Sequence, residues 1–232
     1  MSNPFAPDAL FELDGFAHRD LFAGVESAWE ALGERLARYL ESHARRALEG
    51  TVEDGAVVKG AVWLAPGATI EAGAYVNGPA IIGPGAVVRH GAYLRENVIA
   101  GAGAILGHAT EVKNAVFLDQ ASAGHFAYVG DSILGRRANL GAGTKLANFR
   151  VFPGEVRVCA PDGRSVATGM QKLGALVGDD VQIGCNAVTA PGTVIGRGSV
   201  VYSLASVRGT LPPRTLVSYK PELRRRPLRE PR

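Results

Sequence analysis

The sequence predicts an all-β protein wound as a solenoid, with an α-helical segment ahead of it and a β-hairpin inserted within it. A six-residue aliphatic rhythm, an abundance of glycine and two interruptions of the rhythm lead to this reading. Stepping by six from Val52 meets Val58, Leu64, Ile70, Val76, Ile82, Val88, Leu94, Ala100, Leu106, Val112 and Leu118, all aliphatic except the small Ala100. Four residues beyond each step stands Ala, Val, Thr or Ser, from Ala56 and Val62 through to Val116 and Ser122. A period of six fits neither a helix nor a simple strand, but it does fit a short strand plus a turn, repeated. Three such sides close an eighteen-residue triangular coil, and successive coils stack at the ~4.8 Å strand spacing. The 30 glycines supply the bends. The rhythm returns at Val177, Ile183, Thr189, Ile195, Val201 and Val207, until Leu211 stands where a small residue is due.

The elements follow in chain order. Residues 1–50 lie outside the rhythm, and from Leu21 to about Ala47 the apolar Val25, Trp29, Leu32, Leu36 and Leu40 recur at three and four. This spacing predicts one amphipathic helix, with Asp20 as its cap, docked on the end or side of the solenoid or on a neighbouring subunit. The solenoid is expected over 51–212. From about 149 to 175 the rhythm lapses, and "EVRVCAPDGRSVAT" predicts two short strands around a Pro-Asp-Gly turn, projecting as a hairpin. Residues 213–232 form a Pro-punctuated basic tail.

Net charge is +3, and the last fourteen residues carry six basic and two acidic side chains, or +4, which leaves the rest near −1. A nucleic-acid-binding body is therefore not expected. Two cysteines, Cys159 and Cys185, make no disulfide framework. The N-terminus lacks a signal-peptide layout and no apolar run reaches ~18 residues, so a soluble, cytoplasmic protein without membrane association is expected.

Residues eighteen apart stack on one side of such a coil. Arg95 and Lys113 are eighteen apart, each directly after an inward position. Two stacked cations either hold a phosphate between them or are solvated surface charges. His90 and His108 are also eighteen apart. No carboxylate or cysteine cluster completes a metal shell around them, so a histidine ladder on the wall is the preferred reading. In "SAGHFAYVGDS" the rhythm gives way to His125, Tyr128 and Asp131 within seven positions. A neutral imidazole there can take a proton from an attacking nucleophile. Local features leave a general base and a structural histidine both open.

The motifs "EVKN" (Glu111–Asn114), "GHFAYVGDS" (Gly124–Ser132), "ANLGAGT" (Ala138–Thr144) and "ANF" (Ala147–Phe149) resemble the acetyltransferase domain of the bifunctional N-acetylglucosamine-1-phosphate uridyltransferase/glucosamine-1-phosphate acetyltransferases. They are more similar still to the archaeal sugar-1-phosphate nucleotidyltransferase/amino-sugar acetyltransferases, with "TGMQKLGALVGDDV" (Thr168–Val181) after the hairpin. The resemblance covers about residues 80–210. It implies a left-handed parallel β-helix assembled as a homotrimer, with acetyl-CoA as co-substrate and no metal required. By the same resemblance His125 is the general base, Asn148 stands beside it and Glu111 belongs to the same wall. Arg95 and Lys113 hold the sugar phosphate, and Tyr128 and Asn139 contact the sugar or its phosphate. Lys172 reaches the phosphate from a neighbouring subunit. Ala142 makes a backbone contact to acetyl-CoA, and Cys185 lies where the family often has serine near the thioester.

The expected activity is direct acetyl transfer to the amine of glucosamine 1-phosphate or galactosamine 1-phosphate, as in UDP-N-acetylglucosamine biosynthesis. Backbone amides of the "GAGT" turn would stabilise the oxyanion. The glycine-rich phosphate loop of the family's nucleotidyltransferase half is not among the residues before the solenoid, so no nucleotidyl transfer is expected; a separate nucleotidyltransferase would be a partner. Two other readings stand beside this one: a catalytically silent trimeric scaffold for such a partner, and an acyltransferase for another amino sugar.

Overall fold

The computed structural model describes residues 3–219. The part of the basic tail from residue 220 on therefore lies outside the described residues. The fold is the expected parallel β-solenoid, about ten turns long. Its strands are two to seven residues long and stack in parallel.

Three faces make the triangular section. A groove face runs through Thr51–Val52, Thr69–Ile70, Val87–Val88, Ile105–His108, Ser122–His125, Asn139–Leu140, Gln182–Ile183, Val200–Val201 and Leu216–Val217, and forms a nine-stranded sheet. The site face runs through Tyr75–Asn77, Tyr93–Leu94, the first halves of Glu111–Phe117 and Tyr128–Leu134, then Lys145–Leu146 and Val188–Thr189. The covered face runs through Val62–Leu64, Ala80–Ile82, Val98–Ala100, the second halves of the same two long strands, Ala175–Val177 and Thr193–Ile195. Because the two long strands turn a corner without breaking, these last two faces join into one fifteen-stranded sheet, which also takes in Ala47–Leu48, Val57–Lys59, Ser206–Val207 and Thr210–Leu211.

The core is a stack of aliphatic layers, one residue per face per coil: Val88, Leu106, Ala123 and Leu140 on one side, Leu94, Val112, Val129 and Leu146 on the next, Ala100, Phe117, Leu134 and Val177 on the third. The rhythm changes within it. Tyr75, Tyr93 and Glu111 pair at eighteen, but Glu111, Tyr128 and Lys145 pair at seventeen. The coil loses one residue, so Phe117 rather than Leu118 points inward, and Ala115 and Ala121 rather than Val116 and Ser122 take the small core positions. Leu118 and Val116 face outward into a second apolar cluster. The closing coil shortens again: Leu211 pairs with Ile195 and packs against the core as an inward residue, which accounts for its break of the small-residue rule. The solenoid also continues past 212, to Leu216–Val217.

The expected long helix is broken. Its place is taken by turns of 3-10 helix at Arg19–Phe22 and Ala28–Ala31 and an α-helix at Glu34–His43, after a short helix at Pro7–Leu10. Asp20 caps nothing and sits inside the first 3-10 turn. Gly24 and Gly33 adopt positive φ of 71° and 61°, which ends helical winding on either side. Ser27 and Glu30 form a reciprocal capping box that starts the second turn afresh. The apolar stripe is nonetheless used: Trp29, Leu32, Leu36 and Leu40 are buried against the outward residues of the covered face, Ile81, Ile99, Val116, Ile133 and Leu176. The docking surface is thus the side of the same chain's solenoid.

The hairpin forms, with Arg157–Cys159 antiparallel to Ser165–Ala167. Rather than projecting freely, it lies back on the same side: Val156, Val158 and Ala160 are buried in the cluster that holds the N-terminal segment.

Candidate functional site

Each corner of the triangle carries a ladder of side chains. The corner between groove face and site face reads His90, His108, His125, Ala142, Cys185, rung upon rung. His108 pairs with His125 in the strand ladder. The amide of Gly143 donates to the His125 carbonyl, and that of Asn186 to the Ala142 carbonyl. Shortening the coil to seventeen residues is what puts His125 on this corner. Close approach enforces glycine here: a Cβ on Gly107 would lie 1.8 Å from the Gly124 carbonyl oxygen.

The lower histidines are a wall ladder. The His90 and His108 rings stack at 5.6 Å and 11°. The Nδ1 of His90 lies 2.6 Å from the Ala72 carbonyl, and that of His108 lies 2.8 Å from the His90 carbonyl. A carbonyl only accepts, so each Nδ1 carries the proton. His125, exposed as His90 is, differs in that its ring makes no hydrogen bond to the described residues. Its neighbour Phe126 is 53% exposed and held at φ 52°, an uncommon conformation for a bulky residue. Among the described residues there is no group of three or more His, Cys, Asp or Glu placed to hold a metal.

Above His125 the groove face opens into a cleft of about 520 Å³ lined by Asn139, Gly141, Cys185, Tyr202, Ser203 and Tyr219, with others. Cys185 lines it from the corner, and Ala142 follows the lining residue Gly141. Three of the four "GAGT" amides are already engaged: Gly141 donates to Ile183, Gly143 to His125 and Thr144 to Gly141. The Ala142 amide donates to none of the described residues. Of the turn's four N–H groups, only that of Ala142 is thus left to meet a ligand.

On the other side of the corner, the site face gathers Arg95, Glu111, Lys113, Tyr128 and Asn148. The Arg95 amide donates to the Val112 carbonyl, which places Arg95 beside Lys113 one coil below, as the eighteen-residue spacing requires. Their mutual repulsion, however, is offset by interleaved carboxylates. Arg95 Nη1 lies 3.2 Å from Glu111 Oε1 and its Nε 4.0 Å from Glu96, and the Glu111 hydrogen bond holds the Arg95 pKa above its usual value. Lys113 is buried, with its Nζ 4.0 Å from Asp131 Oδ2. Burial raises the Tyr128 pKa, Asn148 opposing and Glu111 and Asp131 adding, so its hydroxyl stays protonated.

Asp131 is the residue that the sequence reading underused. It is buried, accepts from Asn114 Nδ2 at 3.1 Å and accepts a second, short hydrogen bond from Asn148 Nδ2. Its signal was in the sequence, since Asn97, Asn114, Asp131 and Asn148 are each seventeen apart.

Two residues fall outside this group. Asn139 lies on the groove face, across the corner from Lys113 and Tyr128. Lys172 pairs with Phe149 in an isolated bridge, and its Nζ lies 5.9 Å from that ring's centre. It is exposed, one residue from the amide of Leu173, which donates to the Asn148 carbonyl.

Comparison with known proteins agrees with the motif reading. Residues 76–161 match the family model of the GMPPB C-terminal domain. A bifunctional sugar-1-phosphate nucleotidylyltransferase/acetyltransferase of Sulfurisphaera tokodaii is 39% identical over 97 residues, 42% of this chain and 24% of that one. The bifunctional protein GlmU of Methanocaldococcus jannaschii is 33% identical over 199 residues, 86% of this chain and 48% of that one. The chain thus spans half or less of the length of these relatives. Among solved structures, a UDP-N-acetylglucosamine acyltransferase from Campylobacter jejuni matches 72% of this chain and 68% of its own at 17% identity, with a TM-score of 0.38.

Proposed function

We propose that this chain, similar to the acetyltransferase-bearing part of those bifunctional proteins, is an acetyl-CoA-dependent N-acetyltransferase acting on an amino-sugar 1-phosphate. The observation that carries the reading is the corner ladder. His125, Ala142 and Cys185 occupy successive rungs, with a cleft on one side and a wall of Lys113, Tyr128 and Asn148 on the other. The thioester chain would lie in the cleft and the sugar against the wall. The reacting atoms would then meet at His125.

In this reading the substrate amine attacks the thioester carbon while His125 takes its proton. The oxyanion forms beside the Ala142 amide. The C–S bond then breaks, and the proton held by His125 balances the departing thiolate. The Tyr128 hydroxyl remains available as a donor to the sugar or its phosphate. Lys172 of a second copy would complete the phosphate site in a homotrimer.

One observation favours a second reading, an acyltransferase for an unphosphorylated amine. The wall cations already face Glu111, Glu96 and Asp131, which lowers the positive potential available to a phosphate. A thiol-release assay with acetyl-CoA decides between the two. Glucosamine 1-phosphate, galactosamine 1-phosphate and the matching unphosphorylated sugars form the panel. The proposal expects release with a phosphorylated member; release with unphosphorylated sugars alone supports the second reading, and none with any member contradicts both.

A further inference from the structure

We propose that Asp131 is the positioning residue of this site, a buried carboxylate that fixes the direction of two amides and steadies the wall lysine; as far as it concerns catalysis, this rests on the acetyltransferase reading above. A carboxylate accepts and does not donate, whereas a carboxamide presents a donor on one side and an acceptor on the other. An asparagine beside a carboxylate is therefore forced to turn its nitrogen toward it. Asp131 does this twice. Asn148 gives its Nδ2 to Oδ2, and Asn114 gives its Nδ2 to Oδ1 at 3.1 Å. The orientation propagates one rung further, because Asn114 Oδ1 is left to accept from Asn97 Nδ2 at 2.9 Å.

The backbone is built for this. Asn97, Asn114 and Asp131 hold φ of 61°, 45° and 48°, a conformation that short polar side chains tolerate best among residues with a Cβ. The seventeen-residue coil brings them into vertical register. Gly130 leaves the room: a Cβ there would meet Asn148 Nδ2 at 2.6 Å and the Tyr128 hydroxyl at 2.7 Å. The carboxylate thus acts on Tyr128 through Asn148, and it faces Lys113 at 4.0 Å as an ion pair. With 5% of its surface exposed, Asp131 is placed to orient the residues that would face the substrate rather than to face it itself.

Asp131→Asn is the test, since it keeps the shape and loses the obligatory acceptor. Its kcat is expected to fall by about tenfold or more with little change in the KM for acetyl-CoA, and the same substitution made in an Asn148→Ala background should lower kcat by a several-fold smaller factor, the remainder coming from Asn114 and Lys113. An equal fold-loss in both backgrounds would overturn the proposal, because a purely structural defect does not depend on Asn148. A second measurement needs neither turnover nor a variant that folds. In wild-type protein labelled with ¹⁵N-asparagine, the Asn114 and Asn148 carboxamide protons should exchange with water more slowly than those of exposed asparagines. Fast exchange at Asn148 would end the orienting role. Slow exchange in a protein that releases no thiol would leave the orienting role standing and remove the proposed reaction.

Discussion

At the residue scale, the wall is a set of charges that neutralise one another before any ligand arrives. Lys113 and Asp131 are both buried, and removing one partner of such a pair leaves the other uncompensated, at a cost of ~3–5 kcal/mol. Lys113→Ala should therefore lower the thermal midpoint as well as weaken phosphate binding. The ratio of kcat/KM for phosphorylated over unphosphorylated amino sugar separates the two effects, since a folding defect cancels in it. On the phosphate reading that ratio falls about tenfold or more, the scale of a charge-assisted contact. An unchanged ratio would assign Lys113 to structure alone. Much of this wall was legible in the sequence: Arg95 and Lys113 lie side by side, as their spacing required. That each has its own carboxylate was not legible, because Asp131 reaches Lys113 only once the coil has lost a residue. Asn139, read by resemblance as a contact to the sugar or its phosphate, lies across the corner on the groove face.

At the scale of elements, the N-terminal segment behaves as a strap over the covered face. Its helix Glu34–His43 contributes Leu36 and Leu40, both wholly buried. Leu36→Ala should cost ~2–5 kcal/mol, measured by denaturant unfolding. The strap is also pH-sensitive. His18 is buried, with its Nδ1 3.1 Å from the Tyr39 hydroxyl, and burial first and His43 second hold its pKa below the ordinary 6.5. The native state then binds fewer protons than the unfolded one. This group's contribution is complete above pH 6.5 and is lost as pH falls through the unfolded value toward the lower native one. The thermal midpoint should drop between pH 7.5 and pH 5.5, and less so in His18→Gln. An equal drop in the variant would place the effect elsewhere. The strap's apolar residues were readable from their spacing, but its interruption was not read, although Ser27, Glu30 and Gly33 carry the signal. Three- and four-residue spacing is satisfied as well by short turns as by one long helix, and only the caps tell them apart.

At the scale of the whole molecule, the solenoid was legible because each coil repeats one physical requirement, an aliphatic side chain inward on each face. The change from eighteen to seventeen residues was hidden by that same simplicity. Phe117 and Leu118 are adjacent and both apolar, and Ala115 and Val116, like Ala121 and Ser122, both fit a small position. A one-residue slip therefore leaves the pattern apparently intact while moving His125 onto the ladder of His90 and His108. The strap and hairpin occupy the covered face, which leaves the other two faces for assembly. Phe149, Val151 and Phe152 stand 65%, 90% and 75% exposed beside the wall. On the trimer reading, light scattering gives three times the 24.3 kDa chain mass, and Phe152→Asp lowers it. A monomer at working concentration would remove the second copy's Lys172 from the site.

On the proposed reading, the histidine corner joins cleft and wall as the place of acetyl transfer. Turnover of acetyl-CoA with an amino-sugar 1-phosphate, wild type against His125→Ala, tests it most directly. His125 is exposed and makes no hydrogen bond through its ring to the described residues, so the variant should keep its thermal midpoint. With the general base removed, kcat should fall by ~10²–10⁴-fold in that variant. A His125→Ala protein turning over at the wild-type rate would contradict that reading.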